Sequence, residues 1–112
     1  MNDTVIMISS EFFGRGDDEL GRKLMGSFLR KLSIDDKQPG KIIFVNSGVK
    51  LLSEDSPVRD GIDLLIHAGI DLVACGTCVQ HYNLGNKIKP EYVSDMRSII
   101  SILMKSDNVI TI

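Results

Sequence analysis

The two cysteines of the chain lie three residues apart in the segment ACGTCVQHYNLG, which runs from Ala74 to Gly85, and a histidine follows at position 81. A Cys-x-x-Cys pair fits a redox disulfide, a metal site, a thiol that carries sulfur, or two buried cysteines that are merely close. Two cysteines are too few for the disulfide framework on which small secreted domains depend. We therefore treat Cys75 and Cys78 as candidate reactive thiols.

The residues around the cysteines predict a strand that turns directly into a helix. If a strand ends at Cys75, Gly76 makes the turn, Thr77 is the N-cap, and Gln80 completes a Thr-x-x-Gln capping box. Cys78 is then the first helical residue, where backbone amides and the helix dipole lower the pKa of a thiol. Cys75 would lie one turn away, close enough to receive or resolve a bond from Cys78.

A zinc site is the weaker interpretation of the same segment. Cys75, Cys78 and His81 supply three ligands, whereas structural zinc takes four, usually with a second, distant pair. The only other histidine, His67, falls inside a predicted helix. We predict no metal and no other cofactor, and we interpret His81 as an exposed residue that tunes the thiols.

Short apolar runs separated by helical patterns predict an α/β fold. The runs are Thr4–Ser9, Ile42–Val45, Leu72–Cys75 and Val109–Ile112, with a weaker extended piece near Lys87–Ile88. Continuous rather than alternating apolar residues indicate strands that are covered on both faces, as in a parallel sheet. The expected architecture is three-layer α/β/α, with right-handed crossovers and helices on both faces of a mostly parallel sheet.

Three helices connect these strands in the prediction. The first runs from Asp17 to Ser33, with inward positions Leu20, Leu24, Met25, Phe28, Leu29 and Leu32. The second begins with Ser56 as N-cap and Pro57 at the first helical position, has the stripe Val58, Ile62, Leu65 and Ile66, and stops at Gly69. The third is capped by Ser94, with inward positions Met96, Ile99, Ile100, Leu103 and Met104. The segment Gly48–Asp55 fits either a loop or a first helical turn.

Polar and small residues follow each of the first three strands. In an open parallel sheet, ligands collect beyond the carboxyl ends of the strands. Arg15, Asn46 and Ser47 are therefore candidate supporting residues beside the cysteine loop. The glycines of FFGRGDDELG do not have the G-x-G-x-x-G spacing, and three acids follow them, which disfavours dinucleotide binding.

Composition limits the domain count and the class of partner. A chain of 112 residues with 43% hydrophobic content forms one core, so we expect a single domain over residues 1–112. The net charge of −2 and the scattered lysines and arginines argue against nucleic acid as a partner. No apolar run approaches the length of a membrane span, which takes ~20 residues, and no leader is visible. We expect a soluble, cytoplasmic protein.

The segments FFGRGDDELGRKLMGSFLRKL, IIFVNSGVKLL and CGTCVQHYNL resemble the DsrE/DsrF-like superfamily, in that order and spacing and over essentially the whole chain. The likeness is greatest to the YedF-type branch, which is associated with selenium metabolism. It implies a flavodoxin-like or Rossmann-like fold of about five strands and assembly into homo-oligomers. By position, it also implies a persulfide on Cys75, with Cys78 as its partner.

The same resemblance implies partners from a sulfur relay, such as a TusA/SirA-like carrier or a cysteine desulfurase. The selenium-associated proteins typically have a SirA/TusA-like domain ahead of this one, whereas here the first predicted strand begins almost at Met1. The chain is then either a fragment or a stand-alone version.

Three functions follow from these observations. The first is a sulfur or selenium relay, with a sulfurtransferase-type carrier cysteine. The second is a thiol-disulfide switch or oxidoreductase that uses the same cysteine pair. The third is a non-catalytic scaffold subunit that keeps the fold and assembles with partners.

Overall fold

Five parallel strands form one sheet in the computed structural model of the chain, which describes residues 3–112. The strands are β1 (Thr4–Ile8), β2 (Lys41–Phe44), β3 (Asp71–Cys75), β4 (Val93–Ser94) and β5 (Asn108–Thr111). Their order across the sheet is β4-β3-β2-β1-β5, and every neighbouring pair is parallel. The predicted α/β class and the predicted parallel sheet of about five strands are confirmed.

Helices connect the strands. These are α1 (Asp18–Leu32), α2 (Arg59–His67), α3 (Gly76–His81) and α4 (Met96–Lys105), with two 3-10 helices at Asn46–Leu52 and Pro90–Tyr92. The first 3-10 helix covers the beginning of Gly48–Asp55, where the sequence allowed either a loop or a helical turn. Within residues 3–112, no helix is both long enough and apolar enough to cross a lipid bilayer.

The main core lies between one face of the sheet and the helices α1 and α2. The strand residues that point to this face alternate along each strand, as pleating requires. They pack against Met25 and Leu29 of α1 and against Ile62 and Leu65 of α2. The buried strand residues on this face are Ile6, Ile8, Ile42, Phe44, Leu72 and Ala74. Burying each large side chain stabilises the fold by roughly 1.5–3 kcal/mol.

The opposite face of the sheet packs against α4. Val5, Ile43 and Cys75 contact Ile99 of this helix. The connections through α1 and α2 move the chain from β1 toward the β4 edge of the sheet. The connection through α4 runs the opposite way, from β4 at one edge to β5 at the other. A right-handed crossover in that direction places α4 on the other face. The predicted three layers, with helices on both faces, follow from this reversal.

The predicted inward stripe of α4 is largely wrong. Ile99 is buried and Leu103 is partly buried, whereas Met96 and Ile100 are each 53% exposed and Met104 is 80% exposed. Apolar residues cover a wider part of the circumference of α4 than the part that packs against the sheet. The predicted N-cap is also wrong, because Asp95 rather than Ser94 accepts a hydrogen bond, 2.8 Å long, from the Ser98 backbone N–H.

The boundaries of α1 agree with the prediction to within a residue, and Asp17 caps the helix by accepting from the Leu20 N–H at 2.8 Å. Its inward stripe is narrower than predicted. Met25 and Leu29 are buried, but Leu20 is 53% exposed and Leu24 is 42% exposed. Both leucines lie beside the surface of α1 that packs against the sheet and α2, and not on that surface.

Helix α2 begins later than the sequence predicted. Ser56 accepts a 3.3 Å hydrogen bond from the Val58 N–H, which closes a turn ahead of the helix, so neither Ser56 nor Pro57 starts it. Ile62 and Leu65 of the predicted stripe are buried, and Ile66 is partly buried. Gly69 ends the helix with φ of +84°, in agreement with its predicted role.

The fourth strand lies at a different place from the predicted extended piece. Lys87 and Ile88 form a turn, in which both backbone N–H groups donate to the Leu84 carbonyl, at 2.9 and 3.1 Å. The strand is Val93–Ser94, and it pairs with the last two residues of β3. Two residues are too few to produce an apolar run that marks a strand.

Candidate functional site

The loops after β1, β2 and β3 meet at the carboxyl edge of the sheet. The Glu11 N–H donates to Ser47 Oγ at 3.2 Å, which ties the first loop to the second. The Asn46 N–H donates to Cys78 Sγ at 3.1 Å, which ties the second loop to the cysteine segment. Asn46 therefore contacts Cys78 directly, and Ser47 binds the neighbouring loop.

Helix α3 starts directly after β3, two residues earlier than predicted. Cys75 is its N-cap residue, with an extended backbone, and no side chain caps the helix. Thr77 is therefore the second helical residue and Cys78 the third, so the predicted N-cap at Thr77 and the predicted first position for Cys78 are wrong. Strand and helix join without an intervening turn residue.

Gly76 allows this junction to pack against the edge strand β4. A Cβ atom at position 76 would lie 3.2 Å from the Ser94 carbonyl oxygen and 3.3 Å from Val93 Cγ1. A side chain here would push β4 away from the cysteine segment. Gly76 thus supports the site through its small size.

The two thiols lie in different surroundings. Cys75 is only 2% exposed and belongs to the core beneath α4, beside Ile43 and Ile99. Cys78 is partly buried and opens toward solvent. Both are free thiols, and they lie close enough for Cys75 to influence the pKa of Cys78. Cys78 is therefore the sulfur that an external reactant reaches first.

Burial raises the pKa of the Cys78 thiol, and the hydrogen bond with Cys75 raises it further. The N–H of Asn46 lowers the pKa of Cys78, because a hydrogen-bond donor to the sulfur favours the thiolate. The prediction that Cys78 has a depressed pKa is therefore wrong. A short helix N-terminus does not offset the loss of water around the sulfur and the neighbouring thiol.

A cavity of about 260 Å³ opens over Cys78. Its lining residues are Asn46, Thr77, Cys78, His81 and Tyr82. The His81 ring packs edge-on against the Tyr82 ring, with 5.0 Å between centroids. Thr77 and His81, both predicted supporting residues, thus lie at the cavity beside Cys78.

Two residues that sequence reasoning missed complete the site. The Tyr82 hydroxyl donates to Asn46 Oδ1 at 3.0 Å, and the Lys50 ammonium lies 4.6 Å from the centre of the Tyr82 ring. Lys50 Nζ is in turn 3.2 Å from Glu11 Oε2. Tyr82 follows Cys78 by four residues, a helical spacing that puts both on one face and could have identified it. No comparable pattern marks Lys50.

Arg15 does not line this cavity. It is exposed and lies between Gly14 and Gly16, whose φ angles of +88° and +137° form the turn before α1. Arg15 thus lies in the exposed turn after β1 and not among the residues that line the cavity.

The rest of the described chain offers no competing cluster of thiols or ligands. Within residues 3–112, no three His, Cys, Asp or Glu side chains come together where they could hold one metal ion. Two larger cavities of about 350 Å³ lie elsewhere, one beneath the C-terminal half of α4 and one beside the turn at Lys87. Neither is lined by a cysteine or a histidine.

No family model matches the sequence, and no curated protein matches it significantly. Solved structures match along the whole chain. The YchN protein from E. coli is 14% identical, with 100% of both chains covered and a TM-score of 0.65.

Two further matches are proteins of unknown function. BT1422 from Bacteroides thetaiotaomicron is 17% identical over 98% of this chain and 95% of its own, with a TM-score of 0.70. MTH1491 from Methanobacterium thermoautotrophicum is 21% identical over 97% of both chains, with a TM-score of 0.66. At these identities the likeness shows the fold alone. The chain therefore shares its α/β fold, with a parallel five-stranded sheet, with these three proteins.

Proposed function

We propose that the protein carries sulfur as a persulfide on the Cys-Gly-Thr-Cys loop, with Cys78 as the accepting thiol. The observation that carries the proposal is the position of Cys78 Sγ, which faces a cavity and accepts the Asn46 N–H at 3.1 Å. An N–H donor at this distance stabilises negative charge on sulfur, and such charge develops both on the attacking thiolate and on a bound persulfide.

The transfer is an exchange of one sulfur–sulfur bond for another. The Cys78 thiolate attacks the outer sulfur of a persulfide on a donor protein. The bond between that sulfur and the donor's cysteine breaks, the donor leaves as a thiolate, and Cys78 holds the persulfide. Delivery to an acceptor thiolate repeats the exchange with the roles reversed, so no external oxidant or reductant is required.

Accessibility favours Cys78 over Cys75 as the acceptor. The sequence resemblance assigned the carrier role to Cys75, but that thiol is 2% exposed and packed beneath α4. A donor persulfide must approach the attacking sulfur directly, and Cys78 borders the open cavity. Cys75 then acts as the neighbouring thiol that holds a hydrogen bond to Cys78.

The cellular setting in this proposal comes from the sequence resemblance. It comprises a YedF-type role in sulfur or selenium handling and a homo-oligomer, whereas the expected cytoplasmic location comes from the cysteine usage and the apolar runs of the sequence. A cysteine desulfurase or a TusA/SirA-like carrier would be the partner. The DsrE-like fold is compatible with each of these, and each remains a prediction.

The test is intact-protein mass spectrometry after incubation with a cysteine desulfurase and cysteine. We expect wild type to gain the mass of one sulfur atom, Cys75→Ser to gain it as well, and Cys78→Ser not to gain it. A gain lost only in Cys75→Ser would return the carrier role to Cys75. No gain in any sample would contradict the sulfur-carrier proposal and favour a scaffold subunit.

The closeness of the two free thiols favours a thiol-disulfide switch as the second candidate function. In that case a persulfide on Cys78 would be attacked by Cys75, which forms a Cys75–Cys78 disulfide and releases hydrogen sulfide. A loss of two hydrogen masses without a sulfur adduct would support this function. A stable adduct on Cys78 would oppose it.

A further inference from the structure

Asn46 has an unusual backbone conformation at the site. Its φ angle is +52°, in the left-handed region that residues other than glycine rarely adopt, although asparagine tolerates it best. At this same residue the backbone N–H points to Cys78 Sγ, 3.1 Å away. The donor to the sulfur therefore depends on how firmly this one residue is held.

The Asn46 side chain is held by Tyr82. The Tyr82 hydroxyl donates to Asn46 Oδ1 at 3.0 Å, and the Tyr82 backbone N–H donates to the Cys78 carbonyl at 3.1 Å. Tyr82 thus connects Asn46 to the helical turn that carries the thiol. One side chain fixes the separation between the N–H donor and the sulfur that receives it.

Tyr82 is itself fixed by a charged neighbour. The Lys50 ammonium lies 4.6 Å from the centre of the Tyr82 ring, a distance typical of a cation–π contact. Glu11 Oε2, 3.2 Å from Lys50 Nζ, keeps the ammonium over the ring. All three loops at the carboxyl edge of the sheet therefore contribute to the orientation of the Tyr82 hydroxyl.

We propose that Tyr82 is a positioning residue that, through Asn46, orients the backbone N–H which stabilises the charged sulfur of Cys78. The assignment of Cys78 as carrier rests on the proposed function, but the positioning of its sulfur does not. A hydrogen bond to the charged form of a thiol favours that form, so loosening the donor disfavours the thiolate. Tyr82 would thereby set how readily Cys78 reacts near neutral pH.

The experiment compares Tyr82→Phe with Tyr92→Phe in a Cys75→Ala background, where Cys78 is the sole cysteine. The rate of Cys78 alkylation by iodoacetamide is measured from pH 6 to pH 10. We expect Tyr82→Phe to move the midpoint of the profile to higher pH and to slow alkylation near neutral pH about threefold to tenfold, the effect of weakening one hydrogen bond to a charged group. Tyr92→Phe, at a tyrosine outside the cavity, should match the parent.

An Asn46→Gly variant separates positioning from a general structural effect. Glycine keeps the backbone N–H and adopts a positive φ readily, but it lacks the oxygen that Tyr82 binds. In the Asn46→Gly background, Tyr82→Phe should therefore change the profile no further. An unchanged profile in Tyr82→Phe alone, or an equal slowing with and without Asn46→Gly, would overturn the proposal.

The readout also distinguishes this proposal from the proposed function. Alkylation requires no sulfur donor, so the midpoint can shift even if the protein never takes up sulfur. Conversely, sulfur uptake on Cys78 with no response to Tyr82→Phe would support the carrier function and reject the positioning role. Alkylation of each variant in denaturant, where all rates should agree, checks that the differences arise from the folded state.

Discussion

The Cys78 thiol is subject to opposing influences that decide the pH at which it reacts. Burial and the neighbouring Cys75 raise its pKa, and the Asn46 N–H lowers it. Because the net effect raises the pKa, the thiol form prevails at neutral pH, and the reactive thiolate increases as the pH rises toward that pKa. Reaction with a donor should therefore accelerate with pH above neutrality.

Replacing Cys75 with alanine should make Cys78 more reactive near neutral pH. The change removes the hydrogen bond and the charge interaction that raise the pKa of Cys78, while burial of Cys78 remains. We expect the midpoint of Cys78 alkylation to move to lower pH, with the modified residue identified by peptide mass spectrometry. Cys75→Ser, which keeps a hydroxyl in place of the thiol, serves as the comparison. A midpoint that stays at its wild-type value would show that Cys75 does not affect Cys78.

Gly48 lies where the first 3-10 helix crosses the end of β1. A Cβ atom there would be 2.4 Å from the Ile8 carbonyl oxygen, a contact that real side chains do not make. Gly48→Ala should therefore lower the free energy of unfolding by about 1–3 kcal/mol, the usual cost of forced overpacking. Urea denaturation measures the change. Gly85→Ala is the control, because a Cβ at position 85 meets nothing within 4 Å. Equal stabilities of the two variants would contradict this account.

At the residue scale, the sequence identified the candidate thiol pair but not the environment of each thiol. The spacing of Cys75 and Cys78 was visible, whereas their different burial depends on where α4 packs. The contact between Asn46 and Cys78 was invisible because it joins residues 32 positions apart in the chain. Such contacts arise from tertiary packing, which local spacing does not encode.

At the element scale, α4 offers a matched pair of neighbouring isoleucines. Ile99 is 1% exposed and packs against the sheet, whereas Ile100 is 53% exposed. Ile99→Ala should lower the free energy of unfolding by about 2–5 kcal/mol, as buried large-to-small changes do. Ile100→Ala should lower it by less than about 1 kcal/mol, because its surface is already half in water. Thermal and urea unfolding would show the difference, and similar losses in both variants would mean that α4 is oriented differently.

Element types were predicted well, and the faces of the helices less well. Apolar periodicity located α1, α2 and α4, because each has residues at helical spacing that reach the core. It could not tell which part of a wide apolar arc meets the sheet, so Leu20 and Met104 were predicted to face inward although both are exposed. The width of the buried strip is set by the neighbouring elements and not by the helix itself.

At the scale of the whole molecule, the protection of backbone amides from hydrogen exchange should depend on the position of each strand in the sheet. Strand β2 lies at the centre, and Ile42, Ile43 and Phe44 are fully buried. Strand β4 has only two residues, and every residue of β5 is exposed. We expect amide hydrogen exchange to be slowest in β2 and its neighbours and fastest in β4 and β5, where local opening exposes the least apolar surface. Uniform protection across the sheet would contradict this ranking.

The pairing of β5 with β1 also has a consequence for synthesis on the ribosome. Thr4 pairs with Asn108 and Met7 with Thr111. The outer edge of β1 therefore stays unpaired until β5 has been synthesised. A nascent chain with β1 to β4 already holds most of its core but presents unpaired backbone groups along β1. Such an edge is a template for a strand from another chain. The hazard of aggregation is thus concentrated in the interval before the final strand emerges, and it grows when translation slows there.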